Sequence, residues 1–270
     1  MRMWTSIIFF FFFFSLSAST AHGFFQGLQN LGKEQGSGLS ELREKLQEAL
    51  PPPTSFDDVK EGDWFHTFVQ SVAEWGIVSG YKNEKGIFTG NYGPGDPLSI
   101  GAILKMALKA AKVDETKCSG SPANPKAKAH WAKAYVLCGE QMDVRILRDF
   151  PDPDRPAKRG EVVGLLFDAF GESVPRGVAN FTDTANHPYE ADISEATKLG
   201  IVSGDMKDGV PTGTFRPNDG VNRAEAAKLI FGKLATLAQT GKSSLQKIGA
   251  KKPSSGKSSS RPLPRRSLRR

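Results

Sequence analysis

The chain has 270 residues, enough for one or two ordinary domains, but both ends differ in composition from the middle, so the folded part is smaller than the whole. A formal charge of +7 does not mark a basic body: residues 242–270 hold ten Lys or Arg and no acid, and without those ten the 36 basic residues fall to 26 against 29 acidic, a net of −3. Two cysteines are too few to form a tetrahedral zinc site on their own.

Taken in chain order, residues 1–21 (MRMWTSIIFFFFFFSLSASTA) combine Arg2, a short apolar run and small residues around Ala18, the layout of a secretory signal peptide, with an uncleaved anchor as the alternative. No later stretch reaches 18 consecutive apolar residues, so no transmembrane segment is expected in the mature chain. Residues 22–53 read as a spacer holding one short helix, with Leu39, Leu42, Leu46 and Leu50 on one side and a stop at Pro51. The stripe covers under two heptads, too little for a coiled coil.

From Phe56 a regular pattern begins. FDDVKEGDWFHTFVQSVAEWGIVSGY sets an aromatic-acid phrase before Phe65, Phe68, Val69 and Val72, spaced as one helix face, and breaks at Gly76 and Gly80. The pentapeptide GIVSG at 76–80 returns at 200–204, where FTDTANHPYEADISEATKLGIVSGD repeats the order. The following segments also align: YGPGDPLSIGAILKMALKAA from Tyr92, DPDRPAKRGEVVGLLFDAFG from Asp152 and FRPNDGVNRAEAAKLIFGKL from Phe215. Superposed, they match Leu104 with Val163 and Ala227, Ala107 with Leu166 and Ile230, Leu108 with Phe167 and Phe231, and Ala111 with Phe170 and Leu234. Those positions are i, i+3, i+4 and i+7 in each copy, one apolar stripe per helix. HWAKAYVLCGEQMDV supplies the middle copy's first helix, with Trp131 matching Trp64 and the glycines lost.

The units are 54–112, 113–173 (divergent) and 174–236. A helix-turn-helix with one apolar stripe per helix cannot bury that surface alone, so the expected fold is mainly α, three such units closing into one pseudo-threefold domain, with room for short strands at the aromatic-acid and glycine turns. Residues 237–270, rich in Ser, Pro, Lys and Arg, read as a basic disordered tail. Cys118 and Cys138 would close a loop of about 20 residues, which as a disulfide stabilises by roughly 3 kcal/mol in the chain-entropy model; two buried free thiols are the alternative.

These phrases resemble the S-layer homology (SLH) repeat: FTDT, GIVSG, FRPND and VNRAE in the third copy, and FDDV, GIVSGY and YGPGD in the first. The resemblance covers 54–236 and implies a three-repeat module that holds exported proteins non-covalently at the cell surface or S-layer. Its implied ligand is an anionic, often pyruvylated secondary cell-wall polysaccharide, gripped in grooves between repeats, with the Arg of a Thr-Arg-Ala-Glu phrase central to binding.

In NRAE, Asn222 can cap the helix and Glu225 can reach back to it, whereas a cation at Arg223 opposes the helix dipole. An anion there would satisfy both Arg223 and free N–H groups. The alternative is an ion pair with Asp183 or Asp219. The middle copy keeps Arg159 and Glu161 but has Lys158 at the cap. The first has Ser99 as a cap with Ile100 and Ala102 in place of Arg and Glu, so at most two Arg-bearing pockets remain. Candidate ligand-binding residues are therefore Arg223, Asn222, Arg159, Trp64, Trp131 and Tyr81, and candidate capping or structural residues Glu225, Glu161, Gly80 and Gly204. Trp64 and Trp131 can stack on sugar rings, although an aromatic at a helix start is more often core.

His66, His130 and His187 fall near first-helix starts, which suggests packing or capping. No nucleophile elbow, zincin motif, Walker loop or CxxC is present, and the acidic phrases FPDPDRP and DMKDG lack the EF-hand pattern. No enzyme activity and no cofactor or metal are expected. The competing function is that of a secreted interaction protein whose basic tail binds nucleic acid, anionic lipid or wall polymer, with the repeats as scaffold.

Overall fold

The computed structural model describes residues 52–249, with side chains to 240. The signal-like segment 1–21, the leucine stripe of the spacer and the tail beyond 249 lie outside the described residues. Among the described residues six α-helices carry the fold: α1 (His66–Glu74), α2 (Ile100–Ala110), α3 (Lys133–Gln141), α4 (Arg159–Ala169), α5 (Glu190–Lys198) and α6 (Arg223–Gly249). Sheet structure among the described residues is one antiparallel pair, β1 (Met206–Lys207) and β2 (Val210–Pro211). The fold is mainly α.

Helices α2, α4 and α6 pack on one another at the centre, while α1 rests on α6, α3 on α2 and α5 on α4. Each first helix thus covers the second helix of another unit rather than its own partner. The matched apolar positions explain this: Leu104, Ala107, Leu108, Val163, Leu166, Phe167, Ala227 and Ile230 are all buried. Ala111, Phe170 and Leu234, the last of each stripe, are half-buried at the rim.

A closed set of backbone hydrogen bonds joins the segments that lead into the three central helices. Leu98 N donates to Val221 O (2.9 Å), Val221 N to Ala157 O (3.1 Å) and Ala157 N to Leu98 O (2.8 Å). The first N–H groups of each central helix go to a neighbouring unit's loop. Gly101 N donates to Pro153 O, Gly160 N to Pro217 O and Ala224 N to Pro94 O, at 2.8, 2.8 and 3.0 Å. These donors have no partner within their own helix, so the inter-unit bonds satisfy groups that would otherwise be orphaned.

Caps differ among the copies. Asn222 Oδ1 accepts from Glu225 N (2.8 Å) and Asn222 N donates to Glu225 Oε2 (3.0 Å), a complete capping box. At α4 only half remains: Lys158 N donates to Glu161 Oε2 (2.9 Å), and an ammonium cannot accept the return bond. Ser99 Oγ accepts from Ala102 N at 3.3 Å. His130 Nδ1 accepts from Ala132 N and His187 Nδ1 from Tyr189 N, so each ring caps the turn that leads into a first helix. His66 does not share that position. It is the first residue of α1, and Asp63 stands in the place of the two capping histidines, accepting from Lys60 N.

Each first helix ends on a residue with positive φ: Gly76 and Gly200 at 71°, and Asp143 at 55° where the middle copy has lost its glycine. Asp is among the few residues that tolerate this conformation, which is how the degraded copy keeps its turn. Gly80 is more constrained. With φ of 71°, a Cβ there would stand 2.6 Å from Asn91 O and 2.7 Å from the Phe56 ring. Gly80→Ala is expected to cost about 3 kcal/mol, roughly 6–12 °C in Tm, with Gly62→Ala, which meets nothing, near neutral in the same thermal melts.

The expected disulfide is present, Cys118 to Cys138, tying the loop after the 3-10 turn Glu115–Lys117 to α3. Helix α6 does not stop before 237, where the tail was expected to begin, but runs to Gly249. Leu234, Ala235 and Ala238 line a groove with Trp75, so the apolar side of the helix continues past that boundary.

Candidate functional site

The segment 77–81 leaves α1 and turns across the start of α2. There it forms one wall of a cavity of about 360 Å³, closed by Lys105 and Met106 of α2, by Trp131 just ahead of α3, and by Arg223 at the head of α6. A second cavity of about 540 Å³ repeats this construction from other units: segment 201–205, Lys228 and Leu229 of α6, Trp64 just ahead of α1, and Arg159 at the head of α4. Lys228 matches Lys105 in the helix alignment, and Ser203 matches Ser79. GIVSG recurs because each copy lines one of two clefts, and each cleft takes residues from all three units.

In the first cleft the Arg223 guanidinium lies 4.6 Å from the centres of both the Tyr81 and Tyr92 rings, and its Nε donates to Tyr92 O at 2.7 Å. The carbonyl is held in place from below, since Asp58 accepts from Tyr92 N (2.8 Å) and Gly93 N (2.7 Å). That clamp is the work of the aromatic-acid phrase, and Asp183 repeats it on Phe215 N and Arg216 N. Neither acid offered as a partner for Arg223 fills that role, because Asp219 pairs with Arg216. Among the described residues no carboxylate lies within ion-pair distance of Arg223.

Positive charge in this cleft is concentrated. Burial, then the neighbouring Lys109, Lys82 and Arg223, push Lys105 below the usual lysine range. Burial and a hydrogen bond to Asp96 (2.8 Å) push the Tyr81 hydroxyl up, so it stays a neutral donor. An anion entering between Lys105 and Arg223 would relieve their repulsion. The helix N-terminus adds little to such a site: Arg223 N and Ala224 N already donate to Asp96 O and Pro94 O, which corrects the expectation of free N–H groups there. An anion bound there would be held by side chains.

Both tryptophans are at the surface, each 56% exposed, rather than in the core. Lys105 Nζ sits 5.9 Å over Trp131 and Lys228 Nζ 5.8 Å over Trp64. Tyr81 and Gly80 line the first cleft, and Gly204 and Glu225 the second. Asn222 contributes through the capping box alone, and Glu161 is held by Lys158 N and Arg155. Sequence reasoning passed over Lys105, Lys228 and the two serines, although the helix alignment places the lysines in one column.

The corresponding place in the middle unit is filled. Ile100 replaces the arginine and is fully buried. The 3-10 turn Arg145–Leu147 replaces the glycine segment, and Arg145 binds Asp168 and Asp192 across it. Tyr189 packs directly on Gly164, which stands where the other units have a lysine.

The family model of the S-layer homology domain matches residues 55–99 and 180–227, the two GIVSG-bearing units. Among curated proteins the chain is 27% identical over 184 residues to an S-layer protein of Bacillus licheniformis, covering 65% of this chain and 19% of that protein. Similarity to the S-layer protein EA1 of Bacillus anthracis is 26% over 184 residues, covering 65% and 20%. The exoglucanase XynX of Acetivibrio thermocellus is 24% identical over 215 residues, covering 74% and 18%. The chain thus spans about a fifth of the length of these relatives. The chain thus carries S-layer homology domain sequence at both cleft-forming segments, 55–99 and 180–227.

Proposed function

We propose that this protein, a cell-surface, wall-anchoring protein by its SLH domains and S-layer relatives, binds an anionic secondary cell-wall polysaccharide non-covalently through the two inter-unit clefts. The observation that carries this reading is Arg223: a guanidinium held between two tyrosine rings, without an acidic partner among the described residues, beside Lys105, whose charge is disfavoured first by burial and then by its cationic neighbours. Such an arrangement is costly unless an anion completes it, and a carboxylate on a sugar, of which a pyruvyl ketal is one form, suits the planar fork of arginine. Trp131 supplies the adjoining apolar face for a sugar ring. The three units together form the framework, each contributing to its neighbour's cleft. The role is anchoring rather than catalysis. The match to the exoglucanase covers only 18% of that protein, and no helix among the described residues is long and apolar enough to cross a membrane.

The test is a pull-down of the protein on purified wall fragments before and after extraction of the anionic polysaccharide. Binding should disappear with the polysaccharide, and undiminished binding to extracted walls would sink the reading. Trp131→Ala should weaken binding about tenfold, as loss of a stacking face of about 1–2 kcal/mol predicts, and leave Tm nearly unchanged because the ring is largely exposed.

A further inference from the structure

The two clefts differ in charge chemistry. Where the first has Tyr81 and Ala102, the second has Asp205 and Glu225. Asp205 is committed to Arg216, at 2.7 and 2.9 Å. Glu225 is turned toward the cleft's own arginine, its Oε1 3.5 Å from Arg159 Nη1, while its other oxygen caps α6.

Arg159 shows the effect of that contact. Its guanidinium lies 4.8 Å over the Phe215 ring, as Arg223 lies over Tyr92. In the first cleft the arginine Nε donates to the carbonyl of that aromatic residue, yet Arg159 Nε is buried with no partner at all. The same residue in the same seat has therefore given up its backbone bond and turned one end toward the Glu225 carboxylate. We infer that Glu225 acts as a built-in competitor: it occupies the anion position of the second cleft, so that this cleft takes an uncharged sugar residue while the first takes the charged one.

This rests on the wall-polysaccharide reading and makes Glu225 its specificity-determining residue. An anionic group reaching Arg159 must displace a carboxylate of this chain, whereas a hydroxyl oxygen can accept from the guanidinium end of Arg159 and a second hydroxyl can donate to Glu225. Trp64 and Ser203 remain available for an uncharged ring. The first cleft has no acid in its lining, and Ala102 at the Glu225 position leaves Arg223 open. A polymer that carries charge on some of its sugars and not on others would engage both clefts at once, each with its own residue type.

The experiment compares intact wall polysaccharide with the same polymer after chemical reduction of its carboxyl groups, both immobilised, with the full chain as analyte. The wild type should prefer the intact polymer. Arg223→Ala should bind more weakly with that preference gone. Adding Glu225→Gln, which keeps an oxygen for the helix cap, should restore a preference for intact polymer of about fivefold. In otherwise wild-type protein, Ala102→Glu should reduce the preference by a similar factor. The inference is overturned if Arg223→Ala keeps the full preference, if the double variant gains none, or if the double variant binds neither polymer while circular dichroism shows it folded. Failure of the wild type to bind intact polymer would instead remove the underlying functional reading.

Discussion

Arg223→Ala is expected to weaken binding to the anionic wall polysaccharide by about 100-fold, near 2.7 kcal/mol, while lowering Tm by no more than a few degrees. The size follows from the setting. Two tyrosine rings and the Tyr92 carbonyl fix the guanidinium before ligand arrives, so little side-chain entropy is lost on binding, and half-buried charge is weakly screened. The small stability effect follows because the backbone bonds from Arg223 N to Asp96 O and from Ala224 N to Pro94 O, which fix the head of α6, do not use the side chain. Arg223→Lys should recover little, since an ammonium neither stacks as a plane between the rings nor offers a fork to a carboxylate. Titration calorimetry with soluble polysaccharide, alongside thermal melts, separates the two effects. An Arg223→Ala protein that binds as well as the parent would show that the first cleft is not where the polymer is held.

The stripe at i, i+3, i+4 and i+7 was readable because burial dictates residue type, and its inner three positions are buried in all three central helices save half-buried Phe231. Candidate side chains could also be named one by one. That Trp131, Tyr81 and Arg223 meet could not be read from spacing, because they lie in three units and meet only when each first helix packs against another unit's second helix. The place of Asp143 was hidden for a related reason: a left-handed turn is recognisable from glycine and much less so from aspartate. Lys233 escaped too. It lies on the buried side of α6, paired with Glu172 and set against Phe167, a solution invisible until the partner is placed. That the equivalent place in the middle unit is filled was half visible in Ile100. What fills that place required the positions of Arg145 and Tyr189.

Arg145→Ala is expected to be the most destabilising single change outside the apolar core, by about 3 kcal/mol at pH 7. Arg145 joins Asp168 and Asp192, with a second pair of bonds to Asp192 at 2.7 and 2.9 Å, and Asp192 is 1% exposed. Its own protonation is reinforced, first by the bond to Asp192, beyond the usual arginine range. Removing it leaves two carboxylates facing each other in a poorly solvated place; the estimate sits at the low end of the usual range because the Arg145 side chain is itself 30% exposed. Burial already pushes the Asp168 carboxyl up, against the pull of Arg145; the substitution removes the charge and side-chain bonds of Arg145, leaving burial and Asp192 opposed only by the backbone N–H of residue 145. A group whose folded-state pKa is raised holds its proton more tightly when folded, so its ionised form costs stability above that pKa, and the cost fades as pH falls through it. The variant's deficit in Tm should therefore narrow between pH 7 and 5, whereas a simple packing loss would stay constant across that range. A deficit independent of pH, or one below about 1 kcal/mol, would mean that Arg145 fills the third cleft by volume and not by charge.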